Sequence, residues 1–316
     1  MRVAFLGNDA WSVPPLRALA DASDIDVDLV VTNPPRPAGR GSKLTPTAVA
    51  RAARSLDLTI LEVDRIRDGE GFHALDAKEP DAIVVVAYGE ILTPDILDIP
   101  RLGAVNLHFS LLPRWRGAAP VQRAILEGDV TTGVTVMLMD EGMDTGPILA
   151  TVDTAIGAEE GAGSLGERLA ELGGPLLVET LHGLDDGTVE AKSQEHTGAT
   201  YAPKLLPDER AIDWGQPADA IVRRVRAFAP DPGAVTTFRQ GRLKVVVARA
   251  HAQSDDGGML ADATRPGAIL GVDGNPRVHA WPGLVELVEV APAGRRQMTG
   301  VEWARGARIE PLEHLG

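Results

Sequence analysis

Asn106 and His108 alternate in the run GAVNLHFS, where a short apolar strand gives way to a loop. Residues two apart on a strand point to the same side. An amide and an imidazole at one strand end can both donate hydrogen bonds to an oxygen that turns negative, as when an amine attacks a formyl carbon. Some forty residues later the acidic loop DEGMDTG carries Asp144, a further titratable candidate.

Each of these residues also has a simpler reading. His108 is one of seven histidines, and most must be incidental. Asn106 suits a strand cap or turn. Asp144 suits a hairpin turn, and Asp140 close by competes for any acidic role.

Other chemistries find less support. The chain has no cysteine, hence no thiol nucleophile, thiolate metal site or disulfide framework. The opening FLGNDAW lacks the G-x-G-x-x-G spacing that cradles a dinucleotide, and no G-x-x-x-x-G-K-[ST] phosphate loop occurs. No His/Asp/Glu cluster stands at metal-ligand spacing, so no metal is expected.

The elements that must position these groups follow from hydrophobic periodicity. Over the first 190 residues, β-branched runs such as RVAFLG, VDLVVT, LTILEV and DAIVVVAYG alternate with helical stretches near 13–19, 47–55 and 120–127. This rhythm predicts a Rossmann-like, mostly parallel α/β sheet over residues 1–190, with ligands beyond the carboxyl ends of its strands. After a helix over 164–184, the polar stretch 185–207 reads as a crossing between domains, with the linker proper at 191–207. Short strands set off by Gly and Pro then predict a small OB-like β-barrel over 208–316.

At 316 residues two domains are expected, and 44% hydrophobic with 24% charged residues is ordinary globular composition. The net charge of −14 opposes nonspecific nucleic-acid binding. That excess lies wholly in the first 204 residues, because the remainder carries 14 basic and 14 acidic residues. No run reaches the roughly 18 apolar residues of a membrane span, and MRVAFLGNDA reads as a strand rather than a signal peptide. A cytoplasmic protein, acting as a monomer and away from membranes, is expected.

The run NLHFSLLPRWRGAAPVQRAILEGDVTTGVTVMLMDEGMDTGPIL resembles the signature of the folate-dependent formyltransferase family. Asn106, His108 and Asp144 fall on that family's catalytic positions. Ser110, Leu111, Leu112 and Pro113 match its folate-contacting loop, and VVVAYGEIL, with Tyr88 and Gly89, resembles the strand and turn lining its pterin pocket. NPPRPAGRGSKLTP resembles the inserted loop of the family's tRNA-acting members, with Arg40 on the functional arginine and Arg36 and Lys43 beside it. The TYAPKL, IDW and RAFAPDPGA segments also match, so the resemblance runs from about residue 2 to Pro292. Phe109, where many members have Gly, and Pro35, where Asp is frequent, depart from the pattern without removing a chemical group.

The resemblance implies 10-formyltetrahydrofolate as co-substrate and the α-amine of initiator methionyl-tRNA as acceptor, with transfer serving translation initiation. It assigns Asn106 and His108 to the oxyanion and Asp144 to orienting His108. Arg239, Arg242 and Lys244 are candidates for a tRNA-facing barrel surface, although solvation alone explains them more simply. Two alternatives remain open. One is a formyltransferase acting on a small amine, either a purine precursor or a nucleotide-linked amino sugar. The other is a noncatalytic folate- or tRNA-binding module. The Arg-bearing insertion and second domain oppose the first, and the joint presence of three polar groups opposes the second.

Overall fold

The computed structural model describes residues 1–38, 41–67, 69–195, 197–251, 265–271 and 274–316. Among these, the chain divides into two compact units. The first comprises 1–120, 131–155 and 166–203; the second comprises 121–130, 156–165 and 204–316.

The first unit is built on strands β1 (Arg2–Gly7), β2 (Asp26–Thr32), β5 (Ile60–Glu62), β6 (Ala82–Val86), β7 (Ala104–His108), β8 (Thr131–Leu138) and β9 (Ile148–Ala155). Their order in the sheet is β5-β2-β1-β6-β7-β8-β9. The first five pair in parallel, whereas β8 and β9 are antiparallel additions. Every residue of β6 and β7 is buried, as continuous Val/Ile/Ala runs require when both faces of a strand are covered. A separate two-stranded ribbon, β3 (Arg36–Ala38) with β4 (Lys43–Thr45), stands on the stretch after β2.

Helices α1 (Val13–Asp21), α2 (Ala48–Ser55), α3 (Gly69–Asp76), α4 (Pro94–Leu97) and most of α6 (Ala162–Asp185) belong to this unit, whereas α5 (Pro120–Glu127), between β7 and β8 in sequence, falls almost wholly in the second. α1 carries Pro in its first turn, where a missing N–H costs nothing, and Thr47 caps α2 by accepting from the Ala50 amide at 3.0 Å. α6 crosses behind β7 because Gly173 has no side chain: a Cβ there would lie 2.6 Å from Leu107. With Leu107 packed toward the helix, its neighbours Asn106 and His108 face the other side. No described helix is long and apolar enough to cross a membrane.

The second unit holds β10 (Ala234–Phe238), β11 (Gly241–His251), β12 (Ile269–Gly271), β13 (Arg277–His279), β14 (Leu284–Pro292) and β15 (Met298–Thr299), with helices α7 (Ala218–Phe228) and α8 (Gly300–Ala307). The antiparallel order is β10-β11-β14-β13-β12, and β15 pairs with β14. The last residues join the two edges: Leu315 bridges to Phe238 beside β10, and His314 bridges to Ala268 beside β12. A small barrel results, filled by Trp214, Leu243, Val278, Leu287 and Trp303. α7 and α8 go beyond the sequence expectation of strands alone. Their apolar residues Ile221, Val225, Trp303 and Ala304 recur at helical spacing and lie in that core.

Candidate active site

In an open parallel sheet the strand ends that face solvent are where ligands meet backbone and side chains at once. Here the carboxyl ends of β1, β6 and β7 come together. Asn8, just past β1, donates to the Tyr88 carbonyl at 2.5 Å, and its Oδ1 accepts from Thr32 Oγ1 at 2.9 Å and from the Asn33 amide at 2.8 Å. One amide thus ties three strand ends together. Sequence reading missed Asn8, although its place directly after a buried strand was the available signal.

Asn106 and His108 are 9% and 6% exposed, so their polar groups act largely out of water. His108 Nε2 lies 2.8 Å from the Trp115 carbonyl. A carbonyl only accepts, so Nε2 carries a proton and Nδ1 is the nitrogen turned to the acidic loop. Asp144 Oδ2 stands 3.7 Å from Nδ1, and Asn106 Nδ2 stands 3.4 Å from Asp144 Oδ1. Both contacts are looser than a settled charge-assisted bond of about 2.8 Å, and the Asn106 amide in particular keeps donor capacity to turn toward an arriving oxygen. The three residues are therefore brought together, 38 positions apart in sequence.

Asp144 is held from its own side. Its Oδ2 accepts from the Gly117 amide at 2.7 Å, and its backbone has φ of 53°, a left-handed conformation that Asp tolerates better than most residues. Asp140 instead shapes the turn, since its Oδ1 accepts from the Gly142 amide at 3.0 Å and from Thr145 Oγ1 at 2.7 Å. The competition between the two acids is resolved by neighbours rather than by residue type. Gly146 is needed where the loop closes, because any Cβ there would run into the Leu138 carbonyl.

The segment after His108 is braced rather than open. Ser110 is fully buried and donates to the Arg114 carbonyl at 2.7 Å, while its own carbonyl accepts from Thr135 Oγ1 at 2.7 Å. The Leu112 amide donates to the same Thr135 oxygen at 3.2 Å, and a cis peptide links Leu112 to Pro113. Leu112 is also buried, whereas Leu111 and Pro113 are partly exposed. Trp115 and Arg116 are pinned by residues 200–202, with the Trp115 amide bonding Thr200 Oγ1 at 2.9 Å and the Arg116 amide bonding the Thr200 carbonyl at 2.9 Å. Part of the stretch expected to be only a linker thus runs along this loop.

Tyr88 is buried among Ile83, Leu92 and Ile96, with Gly89 at φ 84° making the turn that follows. Burial, and secondarily the charge of nearby Glu90, push its hydroxyl well above the ordinary tyrosine range, so it stays protonated. The basic candidates divide. Arg36 and Lys43 lie exposed on the β3–β4 ribbon, Arg36 reaching Asp64 at 3.5 Å, while Arg40 falls outside the described residues. Arg239 is engaged internally, bonding both Glu313 oxygens at 2.6 and 2.7 Å and the carbonyls of Ala307 and Arg308. Lys244 reaches Asp231 at 3.5 Å.

Residues 1–181 match the family model described as formyl transferase, and residues 204–308 match that of the formyl transferase C-terminal domain. The chain belongs to the formyl transferase family. A methionyl-tRNA formyltransferase from Halorhodospira halophila is 45% identical over 99% of this chain and 98% of its own. One from Frankia alni is 44% identical over 98% and 92%. Among solved structures, HypX from Aquifex aeolicus in complex with tetrahydrofolic acid superposes with a TM-score of 0.66 at 16% identity, over 96% of this chain and 47% of that longer one. An N-formyltransferase from Helicobacter canadensis, with folinic acid and dTDP-3-aminofucose, gives 0.65 at 14% identity over 90% and 98%. At such identities these structures attest the shared fold alone.

Proposed function

We propose that this chain transfers the formyl group of 10-formyltetrahydrofolate to the α-amine of initiator methionyl-tRNA. The observation that carries this reading is the convergence of Asn106, His108 and Asp144 at the carboxyl edge of the parallel sheet. It gains weight from identity of 40 to 45%, over nearly the whole chain, to relatives named methionyl-tRNA formyltransferase.

The donor set suits the reaction. The folate co-substrate supplies an activated formyl group, held by the 110–113 loop and the Tyr88–Gly89 turn. An α-amine titrates near pH 8, so a neutral fraction is present without a strong base. Asn106 Nδ2 donates to the formyl oxygen as the amine adds and negative charge builds there, and His108, in the cationic form that Asp144 favours, adds its Nδ1–H as a second donor. Asp144 orients His108 and holds a water that relays the amine's surplus proton to the folate nitrogen as the old C–N bond breaks. One C–N bond forms, one breaks, and one proton changes nitrogen. Arg36 and Lys43 on the β3–β4 ribbon, with Arg40 between them in sequence, would meet the tRNA acceptor end.

The test is transfer of radiolabelled formyl from 10-formyltetrahydrofolate to methionyl initiator tRNA, with free methionine, small amines and water in parallel. Transfer to charged tRNA alone is expected. Label reaching a small amine instead would keep the catalytic centre and overturn the acceptor, and Arg40→Ala with unaltered tRNA kinetics would overturn the role of the ribbon.

A further inference from the structure

We infer that Gln194, with the buried Arg116 behind it, is a positioning residue for Asp144, an inference that rests on the proposed role of Asp144. Gln194 Nε2 donates to the carbonyls of Asp144 at 3.0 Å and Gly146 at 2.8 Å. These carbonyls belong to the left-handed Asp144 itself and to the residue two further on, so the amide holds the turn that aims the Asp144 carboxylate. On its other side Gln194 Oε1 accepts from Arg116 Nε at 3.1 Å and Nη2 at 2.7 Å. A guanidinium has donors only, so the amide can stand in just one orientation, oxygen toward Arg116 and nitrogen toward the loop.

The choice of residue follows from that geometry. Glu at 194 accepts from Arg116 but has no proton for the two carbonyls, and Lys donates but cannot accept. Arg116 is 2% exposed, and its own backbone is fixed by the Thr200 carbonyl at 2.9 Å and the Ala202 amide at 2.7 Å. A buried charge so fixed is a rigid anchor, since moving it would strand it without partners. The chain of contacts runs from the 200–202 strap through Arg116 and Gln194 to the Asp144 backbone. From there it reaches the carboxylate facing His108 Nδ1 at 3.7 Å. A displacement of about 1 Å in such a group costs up to a hundredfold in rate.

The experiment compares Gln194→Ala and Gln194→Glu with wild type by formyl-transfer kinetics and by the ¹⁵N chemical shift of His108 Nδ1. Gln194→Glu keeps the Arg116 contact and so preserves the fold if Gln194→Ala does not. Expected is a kcat lower by about ten- to a hundredfold with both Michaelis constants nearly unchanged. The Nδ1 shift should move toward that of Asp144→Asn. In an Asp144→Asn background the same changes should cost no more, because they act through one group. Wild-type kcat and Nδ1 shift in Gln194→Glu, or a full multiplicative loss on top of Asp144→Asn, would overturn the inference. Absence of formyl transfer in wild type would count against the proposed reaction instead, while the nitrogen shift still decides whether Gln194 sets Asp144.

Discussion

Each unit contains an Asn, an acid and a His in mutual reach, and the two trios behave differently. In the barrel, His251 Nε2 and Asn275 Nδ2 meet the two oxygens of Glu286 at 2.7 and 2.8 Å, each oxygen taken by one partner. His251 is 41% exposed there. In the sheet unit, the corresponding contacts are 3.7 and 3.4 Å, the histidine is buried, and the acid is held by the Gly117 amide and the Gln194-braced loop. The barrel trio spends its hydrogen-bonding capacity on itself, whereas the sheet trio is fixed from behind and keeps capacity in front. Residue types therefore do not separate the two trios; incomplete satisfaction on a rigid support does, and on that ground the sheet trio is the one we propose as catalytic.

That contrast can be broken at several points. The largest effect is expected from His108→Ala: formyl transfer by the folded variant should fall by about 10²- to 10³-fold in single-turnover kinetics. Next comes Gly146→Ala, whose methyl meets the Leu138 carbonyl. It should displace the Asp144 loop and lower kcat by about tenfold or more, read beside the crystal structure of the variant. Trp214→Phe in the barrel removes the 3.0 Å bond from Nε1 to Thr236 and leaves a buried hydroxyl unsatisfied. It should cost about 1–3 kcal/mol in urea unfolding without altering kcat of the folded enzyme.

The smallest effect concerns Glu286. Bonding from Asn275, and then from His251, holds its carboxyl below the ordinary value of 4.5. A lowered folded value means stability present above about pH 4.5 and lost as pH falls further. The melting difference between wild type and Glu286→Gln should therefore shrink as pH falls below about 4.5. A difference that instead grows on acidification would reverse the sign.

Much of this arrangement was legible in sequence because it is local. DAIVVVAYG and GAVNLH declare doubly buried strands, and the two-residue step from Asn106 to His108 puts both on one face. The Arg116–Gln194–Asp144 chain was not legible, since its partners are 78 and 50 residues apart and meet only when the chain returns after α6. Phe109 became interpretable in the fold, where its ring packs edge-on against Trp11 at 5.8 Å instead of standing open to the strand end. Arg239 shows the opposite failure: a basic residue on a barrel looks available in sequence, yet Glu313 and two carbonyls hold it.

The most direct measurement sets Asp144→Asn beside Glu286→Gln in single-turnover formyl transfer, since each exchanges one carboxylate for its isosteric amide within an Asn/acid/His trio. Expected is a loss of at least about a hundredfold for Asp144→Asn with folate still bound, and a rate near wild type for Glu286→Gln. Wild-type turnover in Asp144→Asn, or equal losses in both, would contradict the assignment of the catalytic centre.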